Sequence, residues 1–148
     1  MFASHLRREG LHAALRYLNG RTPHRFTALY RYDGDTMRNV ALYDRTDPAL
    51  ERGFDVGVAD AYCATVAKRG KAFEFRDTSL LASDERHAAN PVVCYCGVLV
   101  PASDGAPWGT LCHFDFQPCQ MRTSDIPLLE AVAQLVYPEL ATAGRGWQ

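Results

Sequence analysis

The chain has 148 residues, of which 47% are hydrophobic and 11% aromatic, enough to bury one core without staples. Sixteen Lys and Arg against seventeen Asp and Glu leave a net charge of −1, so no global field recruits nucleic acid or an acidic membrane. No run reaches the roughly 18 apolar residues that span a bilayer, and the opening MFASHLRREG lacks an apolar signal core, so the expectation is a cytoplasmic protein forming a single unit over 1–148.

In chain order, residues 4–19 place Leu6, Leu11, Leu15 and Leu18 near helical spacing and predict an amphipathic helix, with Ser4 as N-cap and Gly20 as its stop. Gly10 costs about 1 kcal/mol relative to alanine in a helix interior, which marks a break or a later start near Leu11. Phe26–Tyr32 and Met37–Tyr43 predict two strands around Asp33-Gly34-Asp35, and the period of two puts Phe26, Ala28, Tyr30 and Tyr32 on one face. Residues 44–58 are polar, with Pro and two Gly, and read as a connecting loop. Ala59–Lys68 reads as a helix stopped by Gly70, followed by a short strand, Ala72–Phe75, and a long, weakly patterned segment ending near Pro91.

Val92–Val100 and Gly109–Phe116 are two apolar, β-branched runs separated by Pro101, Asp104, Gly105 and Pro107, which predicts an antiparallel hairpin inside a sheet. Both runs are apolar at nearly every position, so covers are expected on both faces. Thr123 or Ser124 caps a last helix of about sixteen residues, whose Ile126, Leu129, Val132, Ala133 and Val136 form one stripe. Pro127 falls in its first turn, and residues 141–148 read as a frayed tail.

Five cysteines, at 63, 94, 96, 112 and 119, are an odd number in a chain read as cytosolic, so they read as reduced core-filling residues rather than a disulfide framework. Cys94 and Cys96 share one strand face, and Cys112 on the partner strand is a candidate to lie across from one of them. His113 faces away from Cys112 and no CxxC occurs, so no metal site is expected. Cys63 opens a helix, where the dipole depresses a thiol pKa. No Ser/His/Asp order, P-loop or dinucleotide glycine pattern is present.

The string YCGVLVPASDGAPWGTLCHFDFQP, followed by TSDIPLLEAVAQLV, resembles the second half of a GAF domain, the small-molecule-sensing module of many bacterial signalling proteins. Upstream, AYCATVAKRGKAFEFRDTS is similar to that family's central helix, the next strand and the acidic residue that ends it, so the resemblance spans about residues 11–140. It implies an α/β (α+β) sandwich: a central antiparallel sheet of five to six strands, terminal helices on one face, and a short helix plus lid loops on the other. The lid is expected in the segment before Pro91. By analogy, Tyr62, Cys63, Val66, Asp77, Thr78, Tyr95, Cys112 and Phe114 are the ligand-binding candidates, with Asp77 able to accept hydrogen bonds from an amine, and Tyr30 and Tyr32 are further wall residues.

The function implied is a cytoplasmic, non-enzymatic sensor of an unknown small molecule, acting through a signalling partner protein or a homodimer formed by the terminal helices, without nucleic acid or membrane. Cys63 also resembles one cysteine of the free methionine-(R)-sulfoxide reductases, which gives a thiol enzyme as the alternative. The family's other cysteines are unmatched: Leu50–Val58 is cysteine-free, and HAAN stands where the lid cysteine would fall. A ligand-free dimerisation module is a second alternative. Cys112-His113 has the order of a bilin attachment site but lies inside a strand, so no cofactor is expected.

Overall fold

A computed structural model describes residues 2–120 and 123–142. Helix α1 (Phe2–Glu9) and helix α2 (Leu11–Asn19) are separated by Gly10 at φ 94, a left-handed conformation that a side-chain-bearing residue rarely adopts. The predicted break is therefore real. Ser4 lies inside α1 rather than capping it, because the helix already starts at Phe2.

Strands β1 (Phe26–Asp33) and β2 (Thr36–Asp44) form a hairpin whose two-residue loop begins with Gly34 at φ 62, the positive angle that a tight turn needs at that position. A bulge shifts the register between Leu29 and Tyr30, so Leu29 pairs with Ala41 and Tyr30 with Asn39. The chain then runs through a loop to the two-residue strand β3 (Val56–Gly57). Helix α3 spans Tyr62–Arg69, preceded by a 3-10 turn at Val58–Asp60. It starts three residues later than Ala59 because Ala61 is extended, at φ −107 and ψ 129. Strand β4 is Phe73–Phe75, and two 3-10 turns, Thr78–Leu80 and Ser83–Glu85, follow.

The central hairpin is β5 (Cys94–Pro101) and β6 (Pro107–Asp115), with Gly109 so close to β1 that a Cβ there would stand 2.1 Å from the Tyr30 carbonyl oxygen. Helix α4 spans Ile126–Thr142, and Ser124 Oγ accepts the Ile126 amide at 3.1 Å, as its capping role requires. Of the predicted tail 141–148, residues 143–148 lie outside the described residues.

The six strands form one antiparallel sheet in the order β3-β2-β1-β6-β5-β4. Alternation along each strand divides the core in two. On one face α1, α2 and α4 pack Leu15, Leu18, Leu129 and Val136 against Leu29, Val98 and Leu111. On the other, α3 and the loops pack Tyr62, Cys63 and Val66 against Ala28, Tyr30, Tyr95, Cys112 and Phe114. Among the described residues no helix is long and apolar enough to cross a membrane.

Candidate functional site: an apolar cavity on the α3 face

A cavity of about 650 Å³ opens on the α3 face of the sheet. Tyr30, Tyr95, Cys112 and Phe114 come from the sheet, Tyr62 and Cys63 from the start of α3, and Ala61 from just before it. The loop from Leu50 to Val56 and the segment Asn90–Val92 supply the remaining wall, with Phe54, 91% exposed, at the rim. Such a volume falls in the range of about 300–1,000 Å³ typical of small-ligand sites.

One buried side chain anchors the outer wall. Asn39, on β2, accepts the Gly53 amide through Oδ1 at 2.8 Å, accepts Arg52 through its carbonyl at 2.9 Å, and donates its own amide to Asp55 at 2.8 Å. Leu42 donates to the Glu51 carbonyl at 2.9 Å, so the loop returns to β2 over its length. The opposite wall is held by Asn90, which donates to the Asp60 carbonyl at 2.8 Å and accepts the Val92 amide at 2.9 Å. His87 packs edge-on to Tyr62, with ring centroids 4.6 Å apart, and takes the same segment across α3.

The polar atoms near the cavity already have partners. Tyr95 donates to Cys63 Sγ at 3.3 Å, and Tyr62 Oη accepts the His87 amide at 3.2 Å. Tyr32 lies behind the wall, donating to the Cys63 carbonyl at 3.2 Å and paired with Thr110 Oγ1 at 2.7 Å. Burial raises the phenol pKa of both Tyr30 and Tyr95, so both stay neutral donors. The Cys63 thiol moves the other way: hydrogen bonding from Cys112, then from Tyr95 and Thr110, outweighs burial and lowers its pKa. Burial holds Cys112 well above the usual thiol value, so in this pair Cys63 ionises first and Cys112 stays a neutral thiol, 3.7 Å from the Ala28 carbonyl to which it donates. Gly97 makes room for the Tyr95 hydroxyl that donates to Cys63, since a Cβ there would meet Tyr95 Oη at 2.2 Å.

Of the candidates read from the sequence, Tyr62, Cys63, Tyr95, Cys112 and Phe114 meet at the cavity, as does Tyr30. Val66 does not border it, being fully buried in the packing between α3 and the sheet. Asp77 and Thr78 also lie off the cavity, because β4 is the far edge strand and Asp77 Oδ1 is occupied by the Ser79 amide at 2.9 Å. The long segment ending near Pro91 contributes only Asn90 and Pro91, with Val92 just beyond it, whereas the 50–56 stretch, read as a plain connection, forms the larger cover. Its only sequence signal was an exposed apolar pair, Leu50 and Phe54, in a polar loop. The cysteines also divide differently from the expected grouping: Cys112 pairs with Gly97 and faces the cavity, while Cys94 and Cys96 face the helices.

The GAF domain model matches residues 7–139, and the chain belongs to the GAF domain family. Among solved structures it is similar to the GAF domain of an Acinetobacter phosphoenolpyruvate-protein phosphotransferase, at TM-score 0.72 and 11% identity over 97% of this chain and 90% of that one. A methyl-accepting chemotaxis protein, residues 122 to 287, matches at TM-score 0.72 and 13% identity over 96% of each chain. A type II free methionine-R-sulfoxide reductase from Thermoplasma acidophilum matches at TM-score 0.67 and 17% identity, again over 96% of each. At these identities the likeness is one of fold. No curated protein matches the chain.

Proposed function

We propose that this chain is a cytoplasmic, single-domain GAF sensor that binds a small, largely apolar molecule in the cavity and acts on a partner protein or a second copy through α1 and α4. The observation that carries this reading is the cavity itself: about 650 Å³ of space among aromatic and aliphatic side chains whose hydroxyls are already paired. Burying apolar ligand surface there contributes about 2.5 kcal/mol per 100 Å². Among the described lining residues Arg52 is the one charged group, and it stands exposed beside Gly53 and Phe54, where it suits a carboxylate or other acceptor at one end of the ligand. The methyl-accepting chemotaxis protein of similar fold is consistent with a regulatory role.

The test is thermal unfolding against aromatic acids, medium-chain fatty acids and heteroaromatic metabolites, with Val56→Trp as the blocked control. The expected outcome is an upward Tm shift for one ligand class in the parent protein and none in the variant, which keeps its own fold. No shift for any class would replace the sensor with the ligand-free dimerisation module.

A second reading rests on one observation, the contact between the lowered-pKa Cys63 thiol and Cys112 at the cavity wall. In a reductase, Cys63 would attack the sulfur of a sulfoxide, releasing the thioether and taking the oxygen as a sulfenic acid. Cys112 would condense with it, expelling water and leaving a disulfide for an external thiol to reduce. The lining offers no carboxylate among its described residues for the ammonium of a free amino acid, which favours the sensor. Turnover of free methionine-R-sulfoxide with dithiothreitol, abolished by Cys63→Ser, would reverse that preference.

A further inference from the structure

On the opposite side of the sheet from the cavity, three residues distant in sequence converge beneath the surface. His24 precedes β1, Cys94 begins β5, and Cys119 lies in the connection from β6 to α4. One donor atom from each falls within 4.8 Å of the other two, and all three residues are buried. His24 Nε2 is 3.2 Å from Cys94 Sγ. The cluster shares no residue with the cavity.

The geometry points to a binding site for a thiophilic divalent cation, Zn²⁺ above all, ligated by His24 Nε2, Cys94 Sγ and Cys119 Sγ. Two thiolates and an imidazole are the donor set that zinc prefers, and their two charges neutralise the ion, which a buried site requires. The imidazole is already oriented for the task. Its Nδ1 is 2.6 Å from Thr22 Oγ1, so with Nδ1–H donating to that hydroxyl the Nε2 lone pair faces the two sulfurs. Thr22 is itself fixed, because its carbonyl accepts Arg45 at 2.6 Å. Cys119 is held over the site by its amide, which donates to the Arg76 carbonyl at 3.1 Å.

The surroundings keep His24 in the neutral form that binds metal. Burial, then the stacked His113 ring with its centroid 5.4 Å away, lowers its pKa, and Arg45 adds to this, while Asp125 acts in the opposite sense. Burial raises both thiols in the absence of an ion, so binding releases two protons and weakens as pH falls. The Asp115 carboxylate accepts the Arg25 and Gln117 amides, each at 3.1 Å, and is not one of the three clustered donors. The ion would tie the loop before β1 and the connection into α4 to the start of β5.

The experiment uses the full chain, purified anaerobically, reduced, stripped with a chelator, then titrated with Zn²⁺ against a chromophoric competitor and separately with Co²⁺. The expected result is one equivalent of zinc and a cobalt spectrum with a thiolate charge-transfer band and tetrahedral d–d bands. Cys119→Ser and Cys94→Ser should each abolish stoichiometric binding. Thr22→Val should weaken it about 10–100-fold. Cys96→Ala, on the same strand face but outside the cluster, should keep it whole. Sub-stoichiometric zinc equal in parent and variants, full binding by Cys119→Ser, or cobalt bound without the thiolate band would each overturn the site, as would a Cys94–Cys119 disulfide in the reduced preparation.

Discussion

On one side of the sheet three helices press Leu15, Leu18, Leu111, Leu129 and Val136 to zero exposure, and several polar groups there are linked in a chain. Arg45 donates to Asn19, Asn19 to Thr27, and the His113 ring bridges Thr27 and Asp125 at 2.7 Å each. On the other side the same strands face a single eight-residue helix and loops, and about 650 Å³ stays open. The cause is how much helix each face receives. Helices α1, α2 and α4 share one face, with α2 over β1 and β2 and α4 over β5 and β6, whereas on the other face α3, eight residues and about 12 Å long, lies over β5 and β6. The rest of that face is left with a space whose wall must come from loops.

The sharpest way to break this contrast is to truncate neighbours in β6 that face opposite sides. Leu111→Ala, on the helix side, should cost about 2–5 kcal/mol by chemical denaturation, because a closed core cannot collapse around the hole. Cys112→Ala, one residue on, borders existing space and should cost about 1 kcal/mol or less. Equal losses would mean that the cavity is as tightly packed as the core.

Gly97→Ala should cost about 1–3 kcal/mol, since the new methyl displaces the Tyr95 ring and with it the bond to Cys63. The helix side carries a pH signature instead. His24 stays neutral in the fold down to a pKa of about 3, while the unfolded chain protonates it near 6.5. The unfolded state therefore binds the extra proton between these values, and stability, full above pH 6.5, falls as pH drops toward 3. This group adds up to about 1.4 kcal/mol per pH unit to that slope. In chelator, urea midpoints of His24→Gln should show a correspondingly shallower acid limb. The smallest effect is on reactivity: Tyr95→Phe removes a donor to the Cys63 thiolate, so its pKa should rise and its alkylation at neutral pH should slow, with little change in Tm.

Much of the architecture was legible from periodicity and punctuation. The central hairpin, the Gly34 turn and the interruption at Gly10 each follow from residues whose backbone preferences act locally. The fold family was legible from residues 95–118 and 123–136, with 61–79 upstream. The site was legible only in part. Tyr62, Cys63, Tyr95, Cys112 and Phe114 lie on regular elements, where the period of two or 3.6 tells which way they point. The 50–56 wall lies on an aperiodic loop whose position depends on Asn39, a buried amide with no local signature. Nor could spacing join His24, Cys94 and Cys119, which meet only because β1, β6 and β5 are adjacent in the sheet.

Occupancy of the α3-face cavity by a small apolar molecule is best checked by native mass spectrometry of the parent protein and Val56→Trp, each purified from the same host under identical conditions and measured before and after denaturation. The expected result is a mass excess on the parent that denaturation releases and that the variant lacks. An identical mass for native and denatured parent protein, with no excess restored by incubation in host small-molecule extract, would contradict it.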